Sequence, residues 1–343
     1  MIEVSGLSKR YASRLAVDEI SFSVGEGEVV GFLGPNGAGK STTLRMITGF
    51  LAPSRGQVKV AGIDVDVDPI GARRMIGYMP EGVPLYPEMR VAEYLRYRAA
   101  LKGVPRREVS SAVERSLDQA AVDDAADRII GQLSKGYRQR VGLADALVAD
   151  PPIVILDEPS SGLDPNQIRQ VRELLRGFAG QKTVFVSTHI LPEVEAICER
   201  VVIIHEGKKV GEGAPHELRQ QFGGRHLVRL VGRGSLEAFR RALADVEGLR
   251  EIVALEAEAD RVRGTLEVDP NSDASEHVFT AVAAAGLLLR ELHVEEASLE
   301  AVFGELTTSE EQADAGADVD ADADVEERDP GGDPEDDSPE ESV

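Results

Sequence analysis

The segment GPNGAGKS, residues 34–41, matches the phosphate-binding pattern G-x-x-x-x-G-K-[ST]. An apolar run at residues 29–33 precedes it, and residues 42–50 continue with apolar side chains at helical spacing. A glycine-rich loop between a strand and a helix points backbone N–H groups at phosphate oxygens, and the helix dipole adds to the attraction. In such a loop the lysine reaches the β- and γ-phosphates and the hydroxyl binds Mg²⁺. The predicted nucleotide-binding residues are Gly34, Pro35, Asn36, Gly37, Ala38, Gly39, Lys40, Ser41 and Thr42, with Ser41 also a magnesium ligand.

A second segment, PPIVILDEP, supplies carboxylates for the same chemistry. Its apolar run predicts a buried strand with Asp157 at the carboxyl end, where ligands bind in open α/β sheets. We expect Asp157 to hold Mg²⁺ and Glu158 to act as general base for an attacking water. A lone histidine is usually structural, but His189 ends another core strand pattern, TVFVSTH, beside this nucleotide site. Lys40, Glu158 and His189 are therefore the predicted catalytic residues.

The composition describes a globular chain with a strongly acidic end. Hydrophobic residues make up 42% of the 343 residues, which is enough for a sizeable core. The formal net charge is −23, but residues 309–343 contain sixteen Asp or Glu and one Arg, so about −8 remains elsewhere. Because phosphate backbones favour basic surfaces, we predict that nucleic acid is not a partner.

The single cysteine and the short apolar runs bear on where the chain works. Cys198 cannot form an intramolecular disulfide, and its helical spacing with Val194 and Val201 predicts a buried packing residue. One cysteine suits a reducing compartment. The longest nearly unbroken apolar run, residues 281–289, is too short to span a bilayer. We expect a chain that does not cross a membrane by itself but can dock onto a protein that does.

The periodicity of the chain changes near residue 221. Before it, strand and helix patterns alternate, and a helical stretch at 89–126 is broken at 103–105. After it, the order βαββαβ predicts a small ferredoxin-like sandwich, followed by a closing helix at SLEAVFGELT. Residues 309–343 have too few apolar groups to offset chain entropy, so we expect them to be disordered. The predicted domains are residues 1–221, with a helical subdomain at about 87–146, then 222–308, and an acidic tail at 309–343.

A second candidate anion site lies far along the chain from the phosphate-binding loop. In LSKGYRQRVGLADAL, residues 133–147, Ser134 and Gly136 stand just ahead of a helical pattern. Free N–H groups and the positive end of a helix dipole attract anions at such a start. A chain that already holds one nucleotide has no evident use for a second phosphate sensor.

Together these motifs resemble the ATPase subunits of ABC transporters over about residues 2–221. LSKGY stands where that family has its LSGGQ signature, SGLDP stands at its D-loop, His189 at its switch histidine, and Tyr11 where an aromatic ring stacks on adenine. The resemblance implies an α/β P-loop NTPase that binds and hydrolyses ATP with Mg²⁺, built from a RecA-like core, an antiparallel β subdomain and a helical subdomain. The implied signature residues are Leu133, Ser134, Lys135, Gly136 and Tyr137, and the implied D-loop residues are Ser161, Gly162, Leu163 and Asp164.

The resemblance also implies partners. Two subunits of the family face each other head to tail, so the signature of one copy contacts the ATP bound by the other. GYMPEGVPLYPEMRVAEYL and ASLEAVFGELT are similar to segments of ATPases that serve ABC-2-type exporters, of the gliding-motility and multidrug-export kind. This implies a separate transmembrane permease, reached at the cytoplasmic face of the cell membrane. Its expected docking surface is residues 81–95, including Tyr86, Met89 and Val91.

Two positions depart from the family pattern. Glu81 occupies the place of the usual glutamine in the loop that couples ATP to the permease, where it can bind the nucleotide and reach Mg²⁺. In the signature, Lys135 and Tyr137 replace the first glycine and the glutamine, while Ser134 and Gly136 are kept. We expect the signature to function, because most of the contacting atoms are retained.

Other classes remain as alternatives to an exporter ATPase. Soluble ABC proteins of translation usually carry two ATPase cassettes, and those of DNA maintenance interrupt the cassette with long coiled coils. This chain has one cassette, and Lys40 and Leu133 are too close for such an insertion. A P-loop kinase would have no use for the signature. Importer ATPases remain possible, although their usual accessory domain is larger than residues 222–308.

Overall fold

A computed structural model describes residues 1–222, 226–258, 261–269 and 272–295. The strands are β1 Ile2–Tyr11, β2 Arg14–Val24, β3 Val29–Leu33, β4 Arg55–Val60, β5 Ile63–Asp64, β6 Ile76–Met79, β7 Ile153–Asp157, β8 Thr183–Thr188, β9 Arg200–His205, β10 Lys208–Gly213, β11 His226–Arg233, β12 Leu249–Glu258, β13 Arg261–Val268 and β14 Leu288–Glu295. The helices are α1 Lys40–Ile47, α2 Pro69–Arg74, α3 Val91–Leu101, α4 Val109–Gln119, α5 Lys135–Leu147, α6 Pro165–Gly177, α7 Leu191–Ile197, α8 Pro215–Phe222, α9 Leu236–Leu243 and α10 Ala274–Ala284. Two short 3-10 helices lie at Asp123–Ala125 and Ile130–Gln132.

The central sheet has six strands in the order β10-β9-β3-β8-β7-β6. All neighbouring strands run parallel except the hairpin of β9 and β10. β3, β7 and β8 are buried along their whole length, as continuous apolar runs are in a parallel sheet covered on both faces. This arrangement brings the carboxyl ends of β3, β7 and β8 to one edge, where the candidate site lies.

A four-stranded antiparallel sheet, in the order β2-β1-β4-β5, packs against the central sheet. Phe22 of β2 contacts Phe32 of β3 and Phe185 of β8, with ring centroids 5.2–5.6 Å apart within this trio. The helical pattern predicted over residues 42–50 is wrong at its end, because α1 ends at Ile47. Gly49, at a φ of 69°, turns the chain, and Phe50 is 65% exposed.

A helical part lies between β6 and β7 in the chain. α3 and α4 flank the predicted break at 103–105, and α5 packs against both. The buried carboxylate of Asp145, near the end of α5, joins this helix to α3, since its Oδ1 lies 2.9 Å from Nε of Arg98 and 3.0 Å from Nζ of Lys102. α5 is thereby held at its carboxyl end, while its amino end carries the signature.

The predicted βαββαβ order after residue 221 is confirmed by β11, α9, β12, β13, α10 and β14. The four strands are antiparallel in the order β12-β13-β11-β14, and apolar side chains of both helices pack on one face of the sheet. Phe239 of α9 and Val278 of α10 are fully buried there, together with Leu230 and Leu266 of the strands. This is the ferredoxin-like arrangement that the sequence predicts.

The predicted closing helix at 298–307 and the acidic tail at 309–343 lie outside the described residues. Cys198 is buried beside Val194, as predicted, and burial raises its pKa to about 12. None of the helices in the described ranges has the length and apolar character needed to cross a membrane.

Candidate active site

Most of the predicted nucleotide-binding residues meet at one cleft of about 550 Å³. It is lined by Tyr11, Arg14, Ala16, Asn36, Gly37, Gly39, Lys40, Ser41, Thr42, Glu81 and Glu158. Residues from β1, the glycine-rich loop, α1, the loop after β6 and the end of β7 are far apart in the sequence. The structure therefore brings the phosphate-binding loop, Glu81 and Glu158 to one place.

The shape of the phosphate-binding loop depends on Gly39, the residue just before α1. Gly39 precedes α1 with a φ of 102°, a region that side chains rarely adopt. A Cβ built on Gly39 would lie 2.6 Å from the carbonyl oxygen of Ala16. Any larger residue would push the loop away from β2, so glycine is required to start the helix at Lys40.

Lys40 lies at the floor of the cleft, and its side chain is only 6% exposed. Its Nζ donates hydrogen bonds to the carbonyl oxygens of Gly34, at 2.7 Å, and Pro35, at 3.1 Å. The same ammonium lies 3.3 Å from Oε1 of Glu158. The lysine is therefore held by the loop that would surround a phosphate and by the predicted catalytic carboxylate.

Glu158 is presented to the cleft by a strained turn directly after β7. Its φ of 50° is unusual for a residue with a side chain and costs about 1–3 kcal/mol, which the surroundings must offset. The backbone N–H of Glu158 is held by Ser187, both by its carbonyl oxygen at 3.1 Å and by its Oγ at 3.2 Å. Oε2 of Glu158 lies 2.9 Å from Nδ1 of His189, which follows β8 directly. The carboxylate thus contacts both Lys40 and His189.

Asp157 lies behind this carboxylate and is only 2% exposed. The hydroxyl of Ser187 donates to its Oδ1 at 2.5 Å, which fixes the side chain. Among the described residues, no group of three or more His, Cys, Asp or Glu side chains could hold a metal ion. Mg²⁺ usually binds through one or two carboxylates together with substrate phosphates, so the oxygen donors Ser41 and Asp157 suit a magnesium ion that arrives with a nucleotide.

Sequence reasoning missed Ser187 and Arg14. Ser187 lies two residues before His189, and the polar end of the strand pattern TVFVSTH was the available signal. Arg14 lines the main cleft and a neighbouring hollow of about 380 Å³ that also includes Pro35 and Ala38.

Tyr11 is 44% exposed at the cleft, and Nζ of Lys9 lies 5.5 Å from its ring centroid.

The signature residues lie at the start of α5, as predicted. The Oγ of Ser134 caps this helix by accepting from the N–H of Tyr137 at 3.3 Å, and Ser134 and Lys135 are exposed. Leu133 and Gly136 are buried. A Cβ on Gly136 would lie 2.1 Å from Oε1 of Gln167, so the end of this α6 side chain lies directly against the start of α5.

Tyr137, which replaces the family's glutamine, is held in place by neighbouring side chains of the same molecule. Its hydroxyl donates to Oδ2 of Asp124 at 2.7 Å. The guanidinium carbons of Arg140 and Arg128 lie 4.4 and 5.7 Å from its ring centroid. These contacts support the beginning of α5 and, with it, the position of Ser134.

The D-loop residues lie between Glu158 and the signature. The N–H of Ser161 donates to the carbonyl oxygen of Glu158 at 3.1 Å, and Leu163 packs on the core. Asp164 caps α6 by accepting from the N–H groups of Asn166 and Gln167, both at 3.0 Å. A Cβ on Gly162 would lie 2.2 Å from Nζ of Lys135, so the D-loop lies directly against the signature lysine.

A glycine-rich loop between a parallel strand and a helix, with carboxylates at the end of a neighbouring strand, defines a P-loop ATPase. The ABC transporter family profile matches residues 17–161. The chain is 37% identical over 247 residues to the Nod factor export ATP-binding protein I of Burkholderia orbicola, covering 70% of this chain and 81% of that protein. The protein of the same name from Burkholderia thailandensis is 36% identical over 312 residues, which are 91% of this chain and 98% of the relative.

Solved structures agree with this assignment. An ATP-binding subunit of an ABC transporter matches with a TM-score of 0.60 and 33% identity, over 65% of this chain and 93% of that chain. A dimeric bacterial ABC transporter cassette matches with a TM-score of 0.58 and 28% identity, over 62% of this chain and 98% of that one. A post-hydrolysis form of that cassette, bound to ADP and Pi, matches equally well. The chain belongs to the ATP-binding subunits of ABC transporters, and it binds and hydrolyses ATP.

Proposed function

We propose that two copies of this chain pair head to tail, so that each ATP lies between the P-loop of one copy and the signature of the other. One observation carries the proposal: of the described residues that line the cleft at Lys40, none belongs to residues 133–137. Ser134 and Lys135 are nevertheless exposed at a helix start, where phosphate is attracted. Such a sensor takes part in catalysis only when a second copy brings it to the cleft.

Within each site, Glu158 acts as the general base. Its carboxylate accepts a proton from the attacking water, and its contact with Nδ1 of His189 keeps the two groups together near the γ-phosphate. Lys40 binds the β- and γ-phosphates, and Tyr11 stacks on the adenine. Arg14, which borders the same cleft, adds positive charge near the bound nucleotide.

Ser41 and Asp157 would hold a magnesium ion bound together with ATP, and Glu81, which lines the same cleft as Ser41, would be available to it. When bound, Mg²⁺ neutralises charge that develops on the phosphoryl oxygens. Ser187 keeps Asp157 in place through its hydroxyl.

We further propose that ATP hydrolysis powers export through a separate ABC-2-type permease, with this chain at the cytoplasmic face of the membrane. Support for export comes from the relatives that are Nod factor export ATP-binding proteins. One of these relatives extends over 91% of this chain, including residues after the cassette. The substrate itself is chosen by the permease.

A groove between the central sheet and the helical part suits the docking of the permease. It has a volume of about 410 Å³ and adjoins the loop that carries Glu81. Its walls are mainly apolar; they are Arg45, Thr48, Phe50, Arg73, Ile76, Tyr78, Pro80, Val83, Pro84, Arg98, Lys102, Gly142 and Asp145. Arg98 and Lys102 are paired with Asp145, whereas Arg45 and Arg73 lie outside that ion pair. A short amphipathic helix with an acidic residue has the shape and charge for this groove.

The groove changes the docking surface expected from the sequence. Val91 is fully buried, so it is not available to a partner, and Met89 is partly buried against the core. Tyr86 is 42% exposed and contacts the rings of Tyr94 and Tyr97. We therefore assign docking of the permease to the groove. Of the surface expected from the sequence, residues 81–95, only Val83 and Pro84 line this groove.

Mixed dimers test the shared ATP site. Ser134→Arg blocks the signature and Lys40→Ala blocks the P-loop, so each homodimer has two damaged sites. A dimer of the two variants has one intact site, and its ATPase activity should recover and rise with protein concentration, as association requires. The control pairs Ser134→Arg with the double variant Ser134→Arg/Lys40→Ala, which leaves no intact site. No recovery in mixed dimers identified by two different tags contradicts the proposal.

The export role is tested on membranes. A tagged copy of the chain, expressed in its own cells and purified from detergent-solubilised membranes, should carry with it a multi-spanning protein without ATPase motifs. Reconstituted together, the two chains should hydrolyse ATP faster than the tagged chain alone. Recovery of the tagged chain from membranes with no such protein contradicts the export role while leaving ATP hydrolysis intact.

A further inference from the structure

Glu193 is a buried carboxylate that the mechanism above does not use. It lies in α7, four residues after His189, and is only 3% exposed. Burying an ionisable group costs free energy unless its neighbours compensate. The groups that surround Glu193 therefore indicate what it does.

One neighbour belongs to the strand end that carries the switch histidine. The hydroxyl of Thr188, the last residue of β8, donates to Oε2 of Glu193 at 3.3 Å. The same hydroxyl oxygen accepts from the N–H of Ile190 at 3.0 Å. Thr188 and Ile190 flank His189, so these two bonds fix the backbone on both sides of the histidine.

The other neighbours belong to the D-loop side. Ser160 is buried two residues after Glu158, and its carbonyl oxygen accepts from the N–H of Leu163 in the D-loop turn at 3.1 Å. Burial raises the pKa of Glu193, the polar groups of Ser160 and Thr188 and the positive charge of Arg172 only partly offset this rise, and the negative charge of Glu158 adds to it. The carboxylate of Glu193 is therefore hydrogen-bonded to Thr188 at the end of β8 and lies close to Ser160, just before the D-loop.

The position of the His189 ring depends on the backbone beside it, because the side chain is largely exposed. Its side chain is 44% exposed, and its ring contacts Glu158 through Nδ1 at 2.9 Å. An exposed ring keeps such a contact only if its backbone is fixed, because each side-chain rotamer that is lost costs entropy. The backbone beside His189 is fixed through Thr188, and Thr188 is bonded to Glu193.

We propose that Glu193 is a positioning residue for ATP hydrolysis, which joins the end of β8 to the D-loop turn and keeps His189 against Glu158. The inference rests on the proposed roles of Glu158 and His189, and not on export. Glu193 does not line the nucleotide cleft, whose walls come mainly from the phosphate-binding loop, the start of α1 and the hairpin of β1 and β2. Its loss should therefore slow turnover while leaving ATP binding unchanged.

The test compares four variants of the full chain by ATP affinity and by kcat. Glu193→Ala and Thr188→Val should each lower kcat by about tenfold or more, because small misplacements of reacting groups are costly. Their Kd for ATP should stay within about twofold of the wild type, which separates positioning from loss of binding. Thr188→Ser keeps the hydroxyl and should restore most of kcat. Glu195→Ala, an exposed carboxylate on the same helix, should behave as wild type.

A double variant tests whether Glu193 acts through Thr188. If Glu193 acts through Thr188, Glu193→Ala/Thr188→Val should turn over no more slowly than the slower single variant. Additive losses, an unchanged kcat in Glu193→Ala, or an equal loss of ATP affinity would each overturn the inference. If Glu193→Ala does not fold, the contrast between Thr188→Val and Thr188→Ser decides.

Failure of the mechanism and failure of this inference give different results. If Glu158→Gln hydrolyses ATP at the wild-type rate, the proposed base is wrong, and the role of Glu193 falls with it. If Glu158→Gln is inactive while Glu193→Ala is as active as wild type, only the inference about Glu193 is wrong.

Discussion

Lys40 and Glu158 form an ion pair at the floor of the cleft, with Nζ 3.3 Å from Oε1 and both side chains less than 10% exposed. The lysine is also bonded to two carbonyl oxygens of its own loop. A triphosphate in the loop competes with Glu158 for this ammonium, because the phosphates carry more negative charge. We therefore expect nucleotide binding to release the carboxylate that we propose as the general base.

Changes to the two residues of this ion pair should have different effects: a change at Glu158 should lower turnover, and a change at Lys40 should lower ATP affinity. Glu158→Gln removes the base and the competing charge, so turnover should fall by about 10²–10⁴-fold while ATP affinity is unchanged or higher. Phosphate release and equilibrium binding of ATP measure the two quantities. Glu173→Gln, an exposed carboxylate on α6, is the matched control. A wild-type rate in Glu158→Gln would mean that another group is the base.

Lys40→Ala should instead weaken ATP binding. The lost charge-assisted hydrogen bonds are each worth about 1.5–3 kcal/mol, so we expect the Kd to rise by about tenfold or more. The variant also leaves Glu158 buried without its cation. Unchanged ATP affinity in titration calorimetry would show that the lysine does not reach the phosphates.

The docking groove predicts a coupling defect. Arg73 lies on the groove with its guanidinium carbon 5.9 Å from the ring centroid of Phe50, whereas its exposed neighbour Arg74 does not line the groove. Arg73→Glu should prevent stimulation of ATPase activity by the permease and spare the basal rate, because charge repulsion opposes an acidic partner. Arg74→Glu is the control. Full stimulation of both variants would place the permease elsewhere.

The burial of Cys198 predicts slow modification of its thiol. Its pKa is raised to about 12 by burial, so at pH 8 the folded chain contains almost none of the reactive thiolate. The unfolded thiol, with a pKa of about 8.5, is partly ionised at the same pH. We expect iodoacetamide to label the protein in urea within minutes and the native protein far more slowly, as measured by mass spectrometry. Equal rates would mean that the thiol is accessible.

Deletion of the acidic tail should change neither the stability nor the ATPase activity of the protein. Residues 309–343 contain few apolar side chains, so they can add little to a core. Removing them should leave the basal ATPase rate unchanged and shift the Tm by no more than about two degrees, as expected for a change that removes no packing. Truncation after residue 221 is the contrasting variant, because it also removes the packed core around Phe239 and Val278. A large fall in Tm on deleting only the tail would show that it packs on the folded chain.

Most elements of the core and the order of the motifs could be predicted from the residue pattern alone. Continuous apolar runs predicted β3, β7 and β8, because strands buried on both faces need apolar side chains at every position. Gly39 could be assigned to a loop just before a helix because that turn depends on local backbone conformation. The βαββαβ order after residue 221 followed from the same local periodicities.

The contacts between distant side chains could not be predicted, because they depend on how the whole chain packs. The hydrogen bond of Ser187 to Asp157 and the contact of His189 with Glu158 join residues about thirty positions apart, and nothing in the sequence indicates these contacts. The burial of Glu193 likewise has no signal in the sequence. Likewise, Val91 follows the loop of Glu81 in the sequence, yet packing of α3 against α5 places it in the core. Local periodicity specifies which face of an element is apolar, but the partner of that face depends on how all the elements pack together.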